Sequence, residues 1–400
     1  MGNVLFIGFP GEGHVNPTVG LVKELTSKGE KVTYYCTEKF RERMEGAGAE
    51  VRIYEDFVEE LLSKAGQTDR DPFMFMEFLL RNSERLYESI LPQVQRENYD
   101  YVIYDHIFLA GWMLAETLQV PKIASCTTFA FHPEWENPMK DLIPPAKLAE
   151  FRGKIDDWSE QMQTQYQLDL SFLKQQMGIM CHPVDMTIVY TSTYFQPKAD
   201  RFDGSFHFVG PSIADRADAP DFPLHKLKGR KVVFISMGTV FNQQNAYYEM
   251  CFEAFKDLDA VVVMSVGKKT DLSDLPSIPD HFIVRNYVPQ LEVLQYSDVF
   301  FTHGGMNSSS EGLFFDTPLA VVPVSADQPI VAGRVAELGA GIALKLSEIS
   351  PAQLRETAKK LLSDPSYKQQ AAKIGASFRE AGGARKAAEL IMQWRHLTAL

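Results

Sequence analysis

Two doubly wound α/β domains in tandem are the fold class this 400-residue sequence predicts. Three observations lead there. Short apolar runs alternate with amphipathic segments along most of the chain, as βαβ units and parallel sheets require. The opening pattern of strand, small-residue loop and helix begins at Val4 and restarts at Lys231. Between the halves, residues 209–229 hold Pro211, Pro220, Pro223 and several charges, the composition of an inter-domain linker.

The elements follow in order. Residues 4–9 are continuously apolar, as in a strand covered on both faces. Asn16 is a good N-cap and Pro17 suits a first helical turn, so a helix is expected from there to Lys28, stopped by Gly29. A strand at 31–36 and a helix at 38–46 come next. Further strands are expected at 50–54, 100–104, 121–125 and 186–191, with a Phe- and Met-rich helix at 72–95. In the second half a strand at 231–235 leads through Ser236-Met237-Gly238-Thr239 to a helix at 246–255. Strands are expected at 260–266, 282–287, 299–302, 319–322 and 342–344. Helices at 351–362, 365–381 and 384–394 close the sequence, the last two separated by Gly382-Gly383. In folds of this class ligands bind at the carboxyl ends of the strands, so a cleft between two facing domains is the expected site.

Composition narrows the function. Apolar residues make up 45% and aromatics 12%, enough for packed cores, which excludes global disorder. Forty Lys+Arg against 52 Asp+Glu leave a formal charge of −12, and no basic stretch stands out, so nucleic acid is not an expected partner. Four scattered cysteines without a C-x-x-C pair fit reduced thiols better than a disulfide framework or a zinc cluster. The short apolar start lacks a basic leader, and no apolar run approaches the roughly 18 residues of a membrane helix. A cytoplasmic protein without membrane or metal partners is expected.

The richest stretch is 287–328. His303-Gly304-Gly305 follows a strand, and Asn307-Ser308-Ser309-Ser310 opens a helix. Glycines admit an anion close to the backbone, and helix N–H groups attract phosphate. Hydrogen bonds from Asn307, the serines and His303 to a charged oxygen are worth about 1.5–3 kcal/mol each. Glu311, one turn further, suits the adjacent hydroxyls of a sugar. A plain strand–turn–helix would account for any one of these residues but not for the ordered set. Elsewhere, His14 lies in a glycine-bearing loop at the end of the first strand, and Asp105 directly follows the strand at 100–104. Asp105 there could hold one imidazole nitrogen. The rival reading of Gly11-x-Gly13 as a dinucleotide loop lacks its third glycine, since Asn16 stands there.

The ordered set Tyr287-x-Pro289-Gln290, His303-x-Gly305-x-Asn307-Ser308-x-x-Glu311 and Asp327-Gln328 resembles the donor signature of the UDP-dependent glycosyltransferases of family 1, with Gly13-His14, Asp105 and Gly238-Thr239 extending the match. Within that family the chain is most similar to the bacterial branch acting on macrolides and flavonoids. The resemblance implies a GT-B fold of two facing Rossmann-like domains. It implies an N-terminal acceptor domain at 1–210, a linker at 211–229, a nucleotide-sugar domain at 230–380, and a last helix at 381–400 crossing back to the first domain. By the same resemblance Tyr287 stacks on uracil and Val288 reads its edge, while Gln290 and Glu311 hold the ribose. Thr239, His303, Gly305, Asn307 and Ser308 hold the diphosphate; Asp327 and Gln328 hold the sugar. His14 is the general base and Asp105 orients it. The implied activity is inverting, metal-independent transfer of a hexose from a UDP-sugar, UDP-glucose by expectation, to a hydroxyl of a small lipophilic acceptor by a monomeric enzyme without a cofactor. A catalytically silent homologue and a GT-B enzyme of another kind are the alternatives. Asp316 stands where the family commonly has glycine, so a different local turn is expected. Asp69-x-Asp71 and Asp257-x-Asp259 mimic a metal-binding D-x-D but read as surface acids. Acceptor contacts from Phe73, Met74, Phe78, Phe108, Trp112 or Phe129 are no better supported than ordinary core packing.

Overall fold

A computed structural model of the chain describes residues 2–57, 72–132, 144–174, 179–214, 221–238, 245–268, 270–324 and 327–398. The chain forms two compact units. The first comprises Met1–Tyr190, Lys198–Ser212 and Ala384–Leu400, and the second Thr191–Pro197 and Ile213–Gly383. This division differs from one cut near 210 in assigning Thr191–Pro197 to the second unit. The reason is local: Arg334 donates to the carbonyls of Tyr194 and Phe195, both at 2.9 Å. The Phe195 ring also meets Phe378 edge-on at 5.5 Å.

In the first unit β1 (Asn3–Ile7), β2 (Lys31–Cys36), β3 (Glu50–Ile53), β4 (Tyr101–Asp105), β5 (Lys122–Cys126), β6 (Met186–Val189) and β7 (Phe206–Phe208) form one sheet in the order β3-β2-β1-β4-β5-β6-β7. All its pairings are parallel. Helices α1 (Glu12–Ser27), α2 (Arg41–Gly46), α3 (Pro72–Val94), α4 (Ala110–Leu118) and α5 (Pro145–Tyr166) belong to this unit. Successive strand residues serve opposite faces. Val4, Phe6, Tyr101 and Ile103 pack with Leu21, Val22 and Leu25 of α1. Leu5, Ile7, Val102 and Tyr104 pack with α3 and α4 through residues such as Leu79, Ile90 and Met113. Burial on both faces is what makes these strands read as unbroken apolar runs.

One expectation is corrected here. Asn16-Pro17 does not open α1: the helix begins at Glu12 and Pro17 lies inside it. Extended Gly11 (φ −122°, ψ 138°) already serves as N-cap, and its carbonyl accepts from the N–H groups of His14 and Val15. The acidic Glu12 at the positive helix end favours that earlier start. Asn16 instead accepts from the Arg43 guanidinium. His14 therefore sits in the first helical turn, not in a loop ahead of it.

The second unit contains β8 (Val232–Ser236), β9 (Val261–Ser265), β10 (Phe282–Arg285), β11 (Val299–Thr302), β12 (Leu319–Val321) and β13 (Gly341–Ala343), again all parallel, in the order β10-β9-β8-β11-β12-β13. Its helices are α6 (Asn245–Phe255), α7 (Gln290–Leu294), α8 (Met306–Phe314), α9 (Gln328–Glu337), α10 (Pro351–Ser363) and α11 (Pro365–Ala381). The last helix, α12 (Gly383–Thr398), packs Ala387, Ala388 and Ile391 into the first unit, beside Val4 and Phe6. Its Arg395 donates to both oxygens of Glu30, at 2.7 and 2.8 Å.

Each sheet reverses its strand order beside its first strand, between β1 and β4 and between β8 and β11. Ligands of doubly wound folds bind at such switch points, beyond the carboxyl ends of the strands. Among the described residues no helix is long and apolar enough to cross a membrane.

Candidate active site

The switch point of the first unit holds an imidazole–carboxylate pair. Asp105 is the last residue of β4 and His14 follows β1, so adjacent parallel strands deliver both to the same sheet edge. His14 Nδ1 lies 2.7 Å from Asp105 Oδ2. The side chain of Asp105 is 3% exposed and that of His14 25%. Asp105 Oδ1 accepts from the Ile107 N–H at 3.2 Å, which fixes the carboxylate plane. An ionised carboxylate only accepts, so the imidazole hydrogen sits on Nδ1 and Nε2 carries the lone pair. This pair can take a proton at Nε2 while Asp105 stabilises the resulting imidazolium. The His14 ring is tilted against Phe9 at 4.8 Å, and Phe9 in turn meets Phe57 and Phe108.

Thr127 was not assigned from the sequence, yet its Oγ1 lies 2.9 Å from the same His14 Nδ1. Its one sequence signal is position: it immediately follows β5, the strand next to β4. The aromatic candidates for acceptor contact are mostly core. Phe78, Phe108, Trp112 and Phe129 are buried, and Trp112 Nε1 donates to the Pro183 carbonyl at 2.9 Å.

The switch point of the second unit gathers a different set. Gly238 (φ +77°) follows β8 and Gly304 (φ +87°) follows β11. The His303 ring stands between Gly238 and Gly305: a Cβ on Gly238 would lie 2.6 Å from its Cε1, and one on Gly305 2.5 Å from its Nε2. Glycine at both positions makes room for the imidazole. Burial pushes His303 down to about 4, so it is a neutral donor at neutral pH. Gly305 is the N-cap of α8 and brings no side chain to cap it. Thr239 lies outside the described residues, as do Asp69 and Asp71, while Asp257 and Asp259 are exposed.

Glu311 is 2% exposed and accepts from two amides, Asn307 Nδ2 at 2.8 Å and Gln290 Nε2 at 2.6 Å. Gln290 Nε2 also reaches Ser308 Oγ at 3.5 Å. Gln290, Asn307, Ser308 and Glu311 thus form one network at the start of α7 and α8, where the sequence had divided them into two groups. Val288 is buried, and the Lys268 ammonium lies 6.0 Å above the half-buried Tyr287 ring. Asp327 precedes α9, and Gln328 Oε1 accepts from the Val324 N–H at 2.7 Å.

Asp316 adopts φ +59°, the left-handed conformation that glycine favours, so the residue differs from the family's while the backbone stays in glycine's region. Arg379 of α11 pairs with its carboxylate at 3.0 Å.

Two parallel-sheet units, one carrying an imidazole–carboxylate pair and the other a glycine-lined polar network at a helix start, define a class of two-domain, doubly wound proteins. Residues 249–389 match the family described as erythromycin biosynthesis protein CIII-like, C-terminal domain. An uncharacterized UDP-glucosyltransferase of Bacillus subtilis, YojK, is 42% identical, with 98% of this chain and 97% of that protein aligned. The NDP-glycosyltransferase YjiC of the same organism is 35% identical over 96% of this chain and 95% of its own. The crystal structure of CalG4, the calicheamicin glycosyltransferase, superposes with a TM-score of 0.84 at 25% identity, covering 98% of both chains. The chain belongs to family 1 of the glycosyltransferases and has the GT-B fold.

Proposed function

We propose that this glycosyltransferase moves a hexose, glucose first among candidates, from a UDP-sugar to a hydroxyl of a small lipophilic acceptor, with inversion and without a metal. The observation that carries the reading is the His14–Asp105 contact at the end of β4, 2.7 Å between Nδ1 and Oδ2. In this reading His14 Nε2 removes the acceptor's O–H proton as that oxygen bonds to the anomeric carbon. The bond from that carbon to the diphosphate oxygen breaks on the opposite face, and UDP leaves with the electron pair. Asp105 holds the imidazolium until the proton passes to solvent.

On the donor side, Gln290 and Glu311 take the ribose, and His303, Asn307, Ser308 and the N–H groups beyond Gly305 take the diphosphate. Tyr287 and Val288 take the base, and Asp327 and Gln328 the sugar. Thr239 joins the diphosphate set by its place in the motif. A neutral His303 donates to phosphate without adding charge, which leaves neutralisation to the helix end. The names of YojK and of CalG4 support a glucosyl donor and a natural-product acceptor respectively.

Mass spectrometry of reactions with UDP-glucose and a panel of phenolic, steroid and macrolide alcohols tests the reading. A gain of one hexose that persists in EDTA is expected. No gain with any donor sugar would overturn it in favour of a silent homologue, and strict dependence on Mg²⁺ would overturn the metal-free step.

A further inference from the structure

His106 follows Asp105 in the turn that leaves β4, and its side chain lines a cavity against the first sheet. The ladder continues through the pair, since the His106 N–H bonds to the Ser125 carbonyl at 3.1 Å. Asp105 turns toward His14. His106 turns to the face shared by Tyr104, Ala124, Thr187 and Phe206, a row set by the β4–β5, β5–β6 and β6–β7 registers. In that row the two middle side chains are small and the outer two large, so the sheet surface carries a trough. It opens into a cavity of about 340 Å³, floored by His106, Ala124, Cys126 and Thr187. Phe131, Phe202 and Phe206 also line it. The Phe202 and Phe206 rings lie 4.8 Å apart.

His106 is 4% exposed, and among the described residues neither ring nitrogen has a hydrogen-bond partner. Asp105 Oδ1, at 3.9 Å, is beyond hydrogen-bond reach. A buried polar group left unpaired destabilises the fold, and native proteins rarely keep one without a use. Burial holds the ring neutral at about 4. It therefore offers one N–H and one lone pair, which an alcohol matches because a hydroxyl both donates and accepts. The phenylalanines favour a flat apolar body behind that hydroxyl. The volume falls at the small end of ligand cavities, roughly 300–1,000 Å³, and suits a one- or two-ring molecule.

We propose that this trough is a second small-molecule site, for a phenol whose hydroxyl pairs with His106. The inference does not rest on the transfer reaction. Its test is NMR of the full chain with ¹⁵N-labelled histidine, titrated with phenol and, separately, with toluene. Nine histidines make the spectrum tractable, and the His106 signal is the one missing from His106→Leu. Phenol is expected to shift that signal saturably, and toluene to bind about tenfold more weakly; in His106→Leu, read on the signal of His182, which also lines the cavity, phenol is expected to bind about tenfold more weakly, the loss of one hydrogen bond. Leucine removes two unpaired polar atoms, so the melting temperature of His106→Leu should not fall. Ala124→Val, which fills the trough floor and leaves His106 in place, should weaken phenol in the same way. The site is refuted if phenol moves only the signal missing from His14→Ala, if toluene binds as well as phenol, or if no shift saturates.

Discussion

His14 and His303 both stand beside glycines at the end of a strand, and their neighbours give them opposite chemistry. A carboxylate holds His14 Nδ1, whereas His303 is walled by glycine backbone and kept neutral by burial. His14→Ala should lower transfer by roughly 10²–10⁴-fold and leave UDP affinity within error. Single-turnover kinetics beside calorimetry separates the two effects, and wild-type turnover would contradict the base assignment. Glu311→Ala removes the acceptor shared by Asn307 and Gln290, so UDP should bind more weakly by calorimetry; an unchanged affinity would remove its ribose role. Three buried histidines also set an acid limit. His106, His182 and His303 are each pushed down to about 4, chiefly by desolvation. Between that value and the ordinary value near 6.5, the unfolded chain binds protons that the folded chain does not. Stability therefore rises with pH across this window and is lost as pH falls through it. Melting temperatures taken across the window should fall toward the acid side, and less steeply in His106→Leu.

At the scale of single elements, the turn after α8 ties a sequence oddity to backbone geometry. Asp316 closes the helix in the left-handed region, and Thr317 N–H bonds back to Gly312 O at 3.0 Å. Glycine there would relieve about 1–2 kcal/mol of backbone strain and lose an exposed ion pair worth up to about 1 kcal/mol. Asp316→Gly should thus stabilise by about 0–2 kcal/mol in urea unfolding, and Asp316→Val should destabilise by about 1–2 kcal/mol. The strands at 4–9 and 299–302 were legible because burial on both faces writes a nearly unbroken apolar run. β7 went unread because His207 interrupts its three half-buried residues, leaving no apolar run. α4 and α5 went unread, one almost wholly apolar and the other weakly amphipathic. The start of α1 was misplaced because Asn16-Pro17 offers good cap chemistry that the backbone does not use. The set at 287–328 was legible because its order lies in one stretch of chain. Thr127 and the His106 trough were not, because each depends on register between strands far apart in sequence.

At the scale of the whole molecule, Glu30 links the first unit to α12. Its side chain is 1% exposed and its carboxylate accepts from Arg395, the Gly2 N–H and Tyr101 Oη. Arg395→Ala would leave a buried charge without its cation, a loss of about 3–5 kcal/mol. The double variant Glu30→Gln with Arg395→Leu should recover much of that in thermal unfolding, and equal loss in both would deny the pair its role. The path of the chain carries a further consequence, for the order in which the protein is made. Translation delivers the strands of the first unit early, but α12 reaches them only after Gly383, once the second unit has been synthesised in full. The half that leaves the ribosome first is the half completed last, so its α1-side core around Val4 and Phe6 waits uncovered by α12 while its neighbour folds.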